Sequence, residues 1–305
     1  FIRNDSWMIG ALIFANIVQA IAFAFSRPAN KAIITELVEK DELVLYNSRL
    51  ELVLQVVSVS SPVLSFLVLQ FASLRITLVL DALSFFLAFG LVALLPKKEE
   101  KALGEKKLTF KVIFSDIKEG VHYIVKQKEI FFLLVMASSV NFFFAAFNYL
   151  LPFSNQLYGV QGAYATILIM GAIGSIVGAL LASKIKASME KLLLLLALTG
   201  LGVMIMGFNL PSYLAFSGNF ICELFMTMFN IHFFTQVQTK VEGEYLGRVL
   251  SSIYTLAILF MPIATGLMTW LSSVHLYSFL IIGLGVVILS FLALGYVRTH
   301  FKKEI

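Results

Sequence analysis

Nine almost uninterrupted apolar stretches, each about 20 residues long, fill most of this chain and confine its lysines and arginines to the segments outside them. They run over residues 7 to 26, 50 to 70, 76 to 95, 129 to 150, 163 to 182, 192 to 208, 211 to 234, 249 to 271 and 276 to 297. A helix rises about 1.5 Å per residue, so most of these stretches can cross a hydrocarbon layer of about 30 Å. With 59% hydrophobic and 13% charged residues, the chain has too little polar surface to wrap a single water-soluble core. Lipid suits this composition. There each backbone N–H and C=O must be paired within its own segment or in a closed barrel, and the runs lack the alternation of barrel strands. The expected fold is all-α, a polytopic bundle of transmembrane helices.

Lys and Arg fall in alternate gaps. The segments 27 to 49, 96 to 128, 183 to 191, 235 to 248 and 298 to 305 hold 21 of the 23, and the opposite side keeps only Arg3 and Arg75. By the positive-inside rule the basic gaps are cytoplasmic, which predicts an outside N-terminus and a cytoplasmic C-terminus for a multi-pass protein of the cell membrane. The net charge of +5 is then a topology signal and gives no ground for nucleic acid as a partner. Cys222 is the only cysteine, and His122, His232, His275 and His300 show no ligand spacing. No GxxxxGK[ST] loop occurs, nor a Ser-His, His-metal or paired-Asp constellation in adjoining spans, so neither an enzyme nor a cofactor or metal is expected.

The longest polar interval, 96 to 128, separates three spans (1 to 95) from six (129 to 305). Its second part carries Phe110, Ile113, Phe114, Ile117, Val121 and Ile124 on one helical face, opposite Lys111, Lys118, Glu119 and Lys126. That pattern predicts an amphipathic helix on the cytoplasmic membrane surface. A short repeat links the two sides: Val38-Glu39-Lys40-Asp41-Glu42-Leu43 and Val241-Glu242-Gly243-Glu244-Tyr245-Leu246. Each copy precedes a span with an internal proline, Pro62 or Pro262, which breaks a backbone hydrogen bond and so allows the span to bend. Six spans separate the copies, as two parallel six-helix halves would give. On that reading the nine spans belong to an expected twelve, and the chain is a fragment lacking about the first three.

Several stretches resemble the major facilitator superfamily, in the drug and proton antiporter branch typified by macrolide efflux proteins. They are Phe25-Ser26-Arg27-Pro28-Ala29 with Ile34-Thr35-Glu36-Leu37-Val38, then Asn47, Leu80-Asp81-Ala82-Leu83-Ser84-Phe85, Asp116-Ile117-Lys118-Glu119-Gly120 and Gly247-Arg248-Val249-Leu250-Ser251. The loop Gly178 to Lys186, which echoes the family's signature loop, carries no aspartate. The resemblance implies outward efflux, proton coupling and a hydrophobic antibiotic such as a macrolide as the substrate class.

Polar residues inside spans mark the candidate pathway. Glu223 lies near the middle of 211 to 234, where an ionised carboxylate costs about 2.5 to 3.5 kcal/mol. Asn219, Thr227 and Asn230 sit at i−4, i+4 and i+7 from it, so one stripe of the helix is polar and is expected to line a cavity. Glu223 reads as a protonatable or cation-recognising group, with a neutral carboxyl bonded across a helix interface as the structural alternative. Asp81, with Ser84 one turn on, is either a proton site or an anchor to a neighbouring helix. Glu51, beside Arg49 at the mouth of its span, reads as a boundary ion pair. Asn16 and Gln19, Gln55, and Asn141 and Asn148 either line the cavity or join helices. Phe144 and Tyr149 lie on the Asn141 face, where a bulky amphiphile could meet them. Gly171, Gly174, Ser175 and Gly178 form a small-residue face for close helix approach, either a sliding seam or a static contact.

The expected activity is secondary active export of hydrophobic or amphiphilic molecules by a monomer, with alternating access about a midplane cavity and protons and the lipid bilayer as the other partners. The alternatives are export of an endogenous product such as a siderophore, an inactive fragment, and a membrane assembly protein without transport function.

Overall fold

The computed structural model describes residues 5–71, 74–94, 110–186, 188–271 and 274–300. Among them no strand occurs. The helices are α1 (Asp5–Leu37), α2 (Leu43–Phe71), α3 (Leu74–Ala93), α4 (Phe110–Lys126), α5 (Lys128–Leu150), α6 (Ser154–Tyr158), α7 (Ala163–Ala182), α8 (Met189–Gly207), α9 (Ser212–Lys240), α10 (Gly243–Ile258), α11 (Met261–Leu271) and α12 (Tyr277–His300). Within the described residues each of the nine apolar stretches coincides with helix, the eighth being divided into α10 and α11. Among the described residues six helical stretches are long and apolar enough to cross a membrane: Lys128–Tyr158, Ala163–Ala182, Met189–Gly207, Ser212–Lys240, Gly243–Leu271 and Tyr277–His300. Val79–Ala93 is a shorter apolar helix.

Pro262 accounts for the division of the eighth stretch. Continuing α10 through it would cost a hydrogen bond and a clash, so the chain turns at Leu259 and Phe260 and places Pro262 in the first turn of α11, where its missing N–H is harmless. The helix then restarts with Ala264 N donating to Phe260 O at 3.2 Å. Gly159 and Gly162, at φ +64° and +81°, make the left-handed turn from α6 into α7 that a side chain would oppose.

Glycine sets the spacing of α7, α8, α9 and α12. Gly174 and Gly178 of α7 rest on the backbone of Phe220 and Leu224 in α9, Gly202 of α8 on Cys222, and Gly200 of α8 on Gly283 of α12. Lipid tails are as apolar as the side chains they would replace, so close van der Waals approach is what holds such helices together. The small-residue face of α7 is therefore a tight contact with α9.

The amphipathic helix of the linker forms as α4. Its face packs on α10 and α5, with Ile124 and Gly120 buried. Arg248 of α10 pairs with Asp116 at 3.3 Å and Glu119 at 2.9 Å, while Tyr123 stacks on Tyr245 with ring centroids 4.9 Å apart. Lys118, His122 and Lys126 remain exposed. The expected surface helix is thus held by protein as well as being amphipathic. Two of the resemblance-bearing stretches, 116 to 120 and 247 to 251, meet at this contact. The residues from 95 to 109 lie outside the described ones.

The first three helices meet the later ones through α1 on α10 and α2 on α7 and α9. Exchanging α1 with α9 and α2 with α10 turns the first of these contacts into α2 on α9, which is what a pseudo-two-fold relation between repeats requires. The repeated acidic motifs form the matching α1–α2 and α9–α10 connections.

Candidate functional site

Glu223 sits on the side of α9 that packs against α7. Ser175 Oγ donates to Glu223 Oε2 at 3.3 Å, and the absence of a side chain at Gly171 lets the carboxylate's stem approach α7, where a Cβ would stand 3.1 Å from Glu223 Cγ. One turn earlier on α9, Asn219 is only 2% exposed and its Nδ2 donates to Ile167 O at 2.7 Å, while its Oδ1 has no hydrogen-bond partner among the described residues. Asn219 therefore joins α9 to α7. Thr227 is buried and Asn230 is exposed, so the polar stripe passes from helix contact to open surface along its length.

A second polar group ties α1 and α2 to α9 at the end of the bundle that carries the basic loops. Lys31 Nζ donates to Asn47 Oδ1 at 3.2 Å, Asn47 Nδ2 donates to Gln238 Oε1 at 2.7 Å and Thr235 Oγ1 at 3.2 Å, and Gln238 Nε2 donates to Lys31 O at 2.7 Å. Asn47 is 1% and Gln238 2% exposed. Lys31 also lies 5.0 Å above the Phe234 ring, which stacks on Tyr254 of α10. Burial lowers the Lys31 pKa below the ordinary lysine value, and the Glu51 charge pulls in the opposite direction. The amide nitrogen and oxygen of both Asn47 and Gln238 are hydrogen-bonded, as buried amides require. Lys240 and Glu129 form a further ion pair between α9 and the start of α5.

The other candidates spread out. Asp81 is exposed on α3, which packs against α2, and Ser84 Oγ donates to the backbone of Asp81 at 2.7 Å. Gln19 is exposed, and the side chain of Asn16 lies outside the described ones. Asn141 is half-buried and Asn148 exposed on α5. Phe144 is buried against Phe147, with ring centroids 5.7 Å apart, and so is part of the packing of α5. Tyr149 is half-buried beside Phe153. Arg49 is exposed and the ion pair expected with Glu51 is absent among the described residues, where Gln55 Nε2 instead donates to Glu51 Oε1 at 3.2 Å. Lys31, Thr235 and Gln238 had no place in the sequence reading, Ser175 entered it only as part of a small-residue face, and Asn47 only through resemblance. The signal was present in part, because Asn47, Glu51 and Gln55 recur every four residues.

A groove of about 940 Å³ runs along the outer side of α10 and α11, lined by Thr255, Ile258, Pro262, Thr265, Gly266 and Trp270 among others. It lies apart from Glu223. Among the described residues no three His, Cys, Asp or Glu side chains gather as a metal site.

A protein-family model described as Major Facilitator Superfamily matches residues 4–257. The chain belongs to that superfamily. Macrolide efflux protein A of Enterococcus faecalis is 27% identical over 275 residues, covering 84% of this chain and 80% of that protein. Macrolide efflux protein A of Streptococcus pyogenes is 28% identical over 275 residues, again covering 84% of this chain but 64% of that protein. The chain thus spans less than two thirds of the Streptococcus relative. No solved structure matches the chain significantly.

Proposed function

We propose that the protein containing this chain exports hydrophobic or amphiphilic small molecules of the macrolide type in exchange for protons, by alternating access of two halves, an N-terminal one whose last three helices are residues 1–95 and a C-terminal one of residues 129–305, joined by the linker 96–128. The basic loops face the cytoplasm in this reading, and a single copy does the work. The observation that carries it is Glu223, a carboxylate in the interior of the apolar helix α9, held by Ser175 where α7 and α9 meet. An intramembrane carboxylate is costly enough that one kept on an inward face marks an ion or substrate path. The likeness to macrolide efflux proteins supports the substrate class and the direction.

Expression of the full-length protein is expected to lower cellular accumulation of a radiolabelled macrolide. An uncoupler and Glu223→Gln are each expected to restore it. Lowered accumulation that ignores the uncoupler would remove proton coupling, and unchanged accumulation would remove the macrolide assignment.

A further inference from the structure

Glu51 carries the next step. Two positions along a helix turn by about 200°, so Arg49 and Glu51 point to opposite sides of α2, and only Glu51 turns inward. It is the middle rung of a ladder formed by Asn47, Glu51 and Gln55, whose spacing of four residues keeps them on one stripe. The lowest rung fixes the direction of the stripe, because Asn47 is hydrogen-bonded to Thr235 and Gln238 of α9. The ladder therefore faces the helix that carries Glu223, and the amide of Gln55 keeps the Glu51 carboxylate within it. Lys31 of α1, Glu223 of α9 and Tyr254 of α10 lie within electrostatic reach of Glu51, and Arg27 of α1 within reach of Tyr254. The face of α7 toward Glu223 adds Ser175, which bears no charge.

We propose that Glu51 is a second proton-bearing carboxylate of the transport path, which takes the proton from Glu223 and releases it on the side of the basic loops. This rests on the proton-coupled reading above. The transfer balances simply: the O–H bond of the Glu223 carboxyl breaks as one forms on the Glu51 carboxylate, and the same proton then passes from Glu51 to cytoplasmic water. Position makes the step conformational. Glu51 stands on the first group of helices and Glu223 on the second, so parting the two groups separates the carboxylates. Lys31 and Glu51 both belong to the first group and stay together. When Asn47 leaves α9, Lys31 loses the closed arrangement and its ammonium can balance the ionised Glu51 as the proton departs.

The test uses proteoliposomes of the full-length protein, with a radiolabelled macrolide and a trapped pH dye. Driven transport under an imposed pH gradient is compared with macrolide exchange at equal pH, which needs no net proton movement. Glu51→Gln is expected to lower driven transport relative to exchange by at least about tenfold, the scale of a lost proton-transfer group, and to flatten the pH profile. Glu51→Asp is expected to restore both. Driven transport by Glu51→Gln with the native pH profile would overturn the assignment, and so would an equal fall in driven transport and exchange, which marks a structural role. If the unsubstituted protein moves macrolide without protons, both this assignment and the coupling it rests on fall; the failures are told apart because only the latter appears without any substitution.

Discussion

Gly171 and Gly174 are three residues apart on the same face of α7, yet a methyl group at each would meet different things. At Gly174 it would come within 3.0 Å of the Phe220 carbonyl carbon, and backbone has nowhere to go. At Gly171 it would press on the amide of Asn219 and stand 3.1 Å from Glu223 Cγ, both parts of side chains that can rotate. Gly174→Ala is therefore expected to destabilise the purified protein by about 1–3 kcal/mol, seen as a lower Tm in detergent. Gly171→Ala is expected to cost less stability and more transport, since the groups displaced are the Asn219 amide and the stem that carries the Glu223 carboxylate. Gly90→Ala, in open space, is the control and should leave Tm unchanged or slightly higher. Equal losses of Tm at 171 and 174 would show that the side chains over Gly171 are as fixed as backbone. At the same scale, Ser175→Ala removes one hydrogen bond across helices and is expected to cost only about 0.6 kcal/mol, checked by the same melting measurement.

Between elements, the contact of α4 with α10 depends on Arg248, which reaches two carboxylates from a partly exposed position. Pairs of this kind contribute about 0.2–1 kcal/mol each, so Arg248→Ala is expected to leave the bundle folded while speeding hydrogen exchange in the α4 amides by several-fold. Exchange that rises equally in α8 would show a general loss of stability instead. The elements themselves were legible because each stretch announces its length by apolar residues and its ends by charge, glycine or proline, and Pro262 even marked the division of its span. The partners were not legible. Helical periodicity tells which residues share a face, but the identity of the helix opposite depends on contacts more than 100 residues away, as between Arg248 and Asp116. Glu51 was misassigned for a local reason, since Arg49 is its neighbour in sequence and faces away in space. Asn219 was read as cavity lining because its position in the stripe is right, whereas the glycine opposite it lets α7 come close enough to bury it.

In the whole molecule, the polar link of Lys31, Asn47, Thr235 and Gln238 is where the first helices are fastened to α9, and it lies at one end of the interface that alternating access would have to open. Four hydrogen bonds, each made by one or both of the buried amides Asn47 and Gln238, hold it without a carboxylate, so it can part without leaving an unpaired charge other than Lys31, for which Glu51 is at hand. With Cys222 replaced by Ala, Asn47→Cys and Gln238→Cys are expected to be joined by a short bifunctional thiol reagent, seen as protection of both thiols from a maleimide. Joining them is expected to stop macrolide transport, and reduction of a cleavable linker to restore it. The pair should react fastest in the closed arrangement seen here, and a bound macrolide that favours cytoplasmic opening should slow the joining. Transport that continues at its full rate with the link covalently closed would place the opening elsewhere, along α1 and α10, and would leave this group as a static fastening between the two sets of helices.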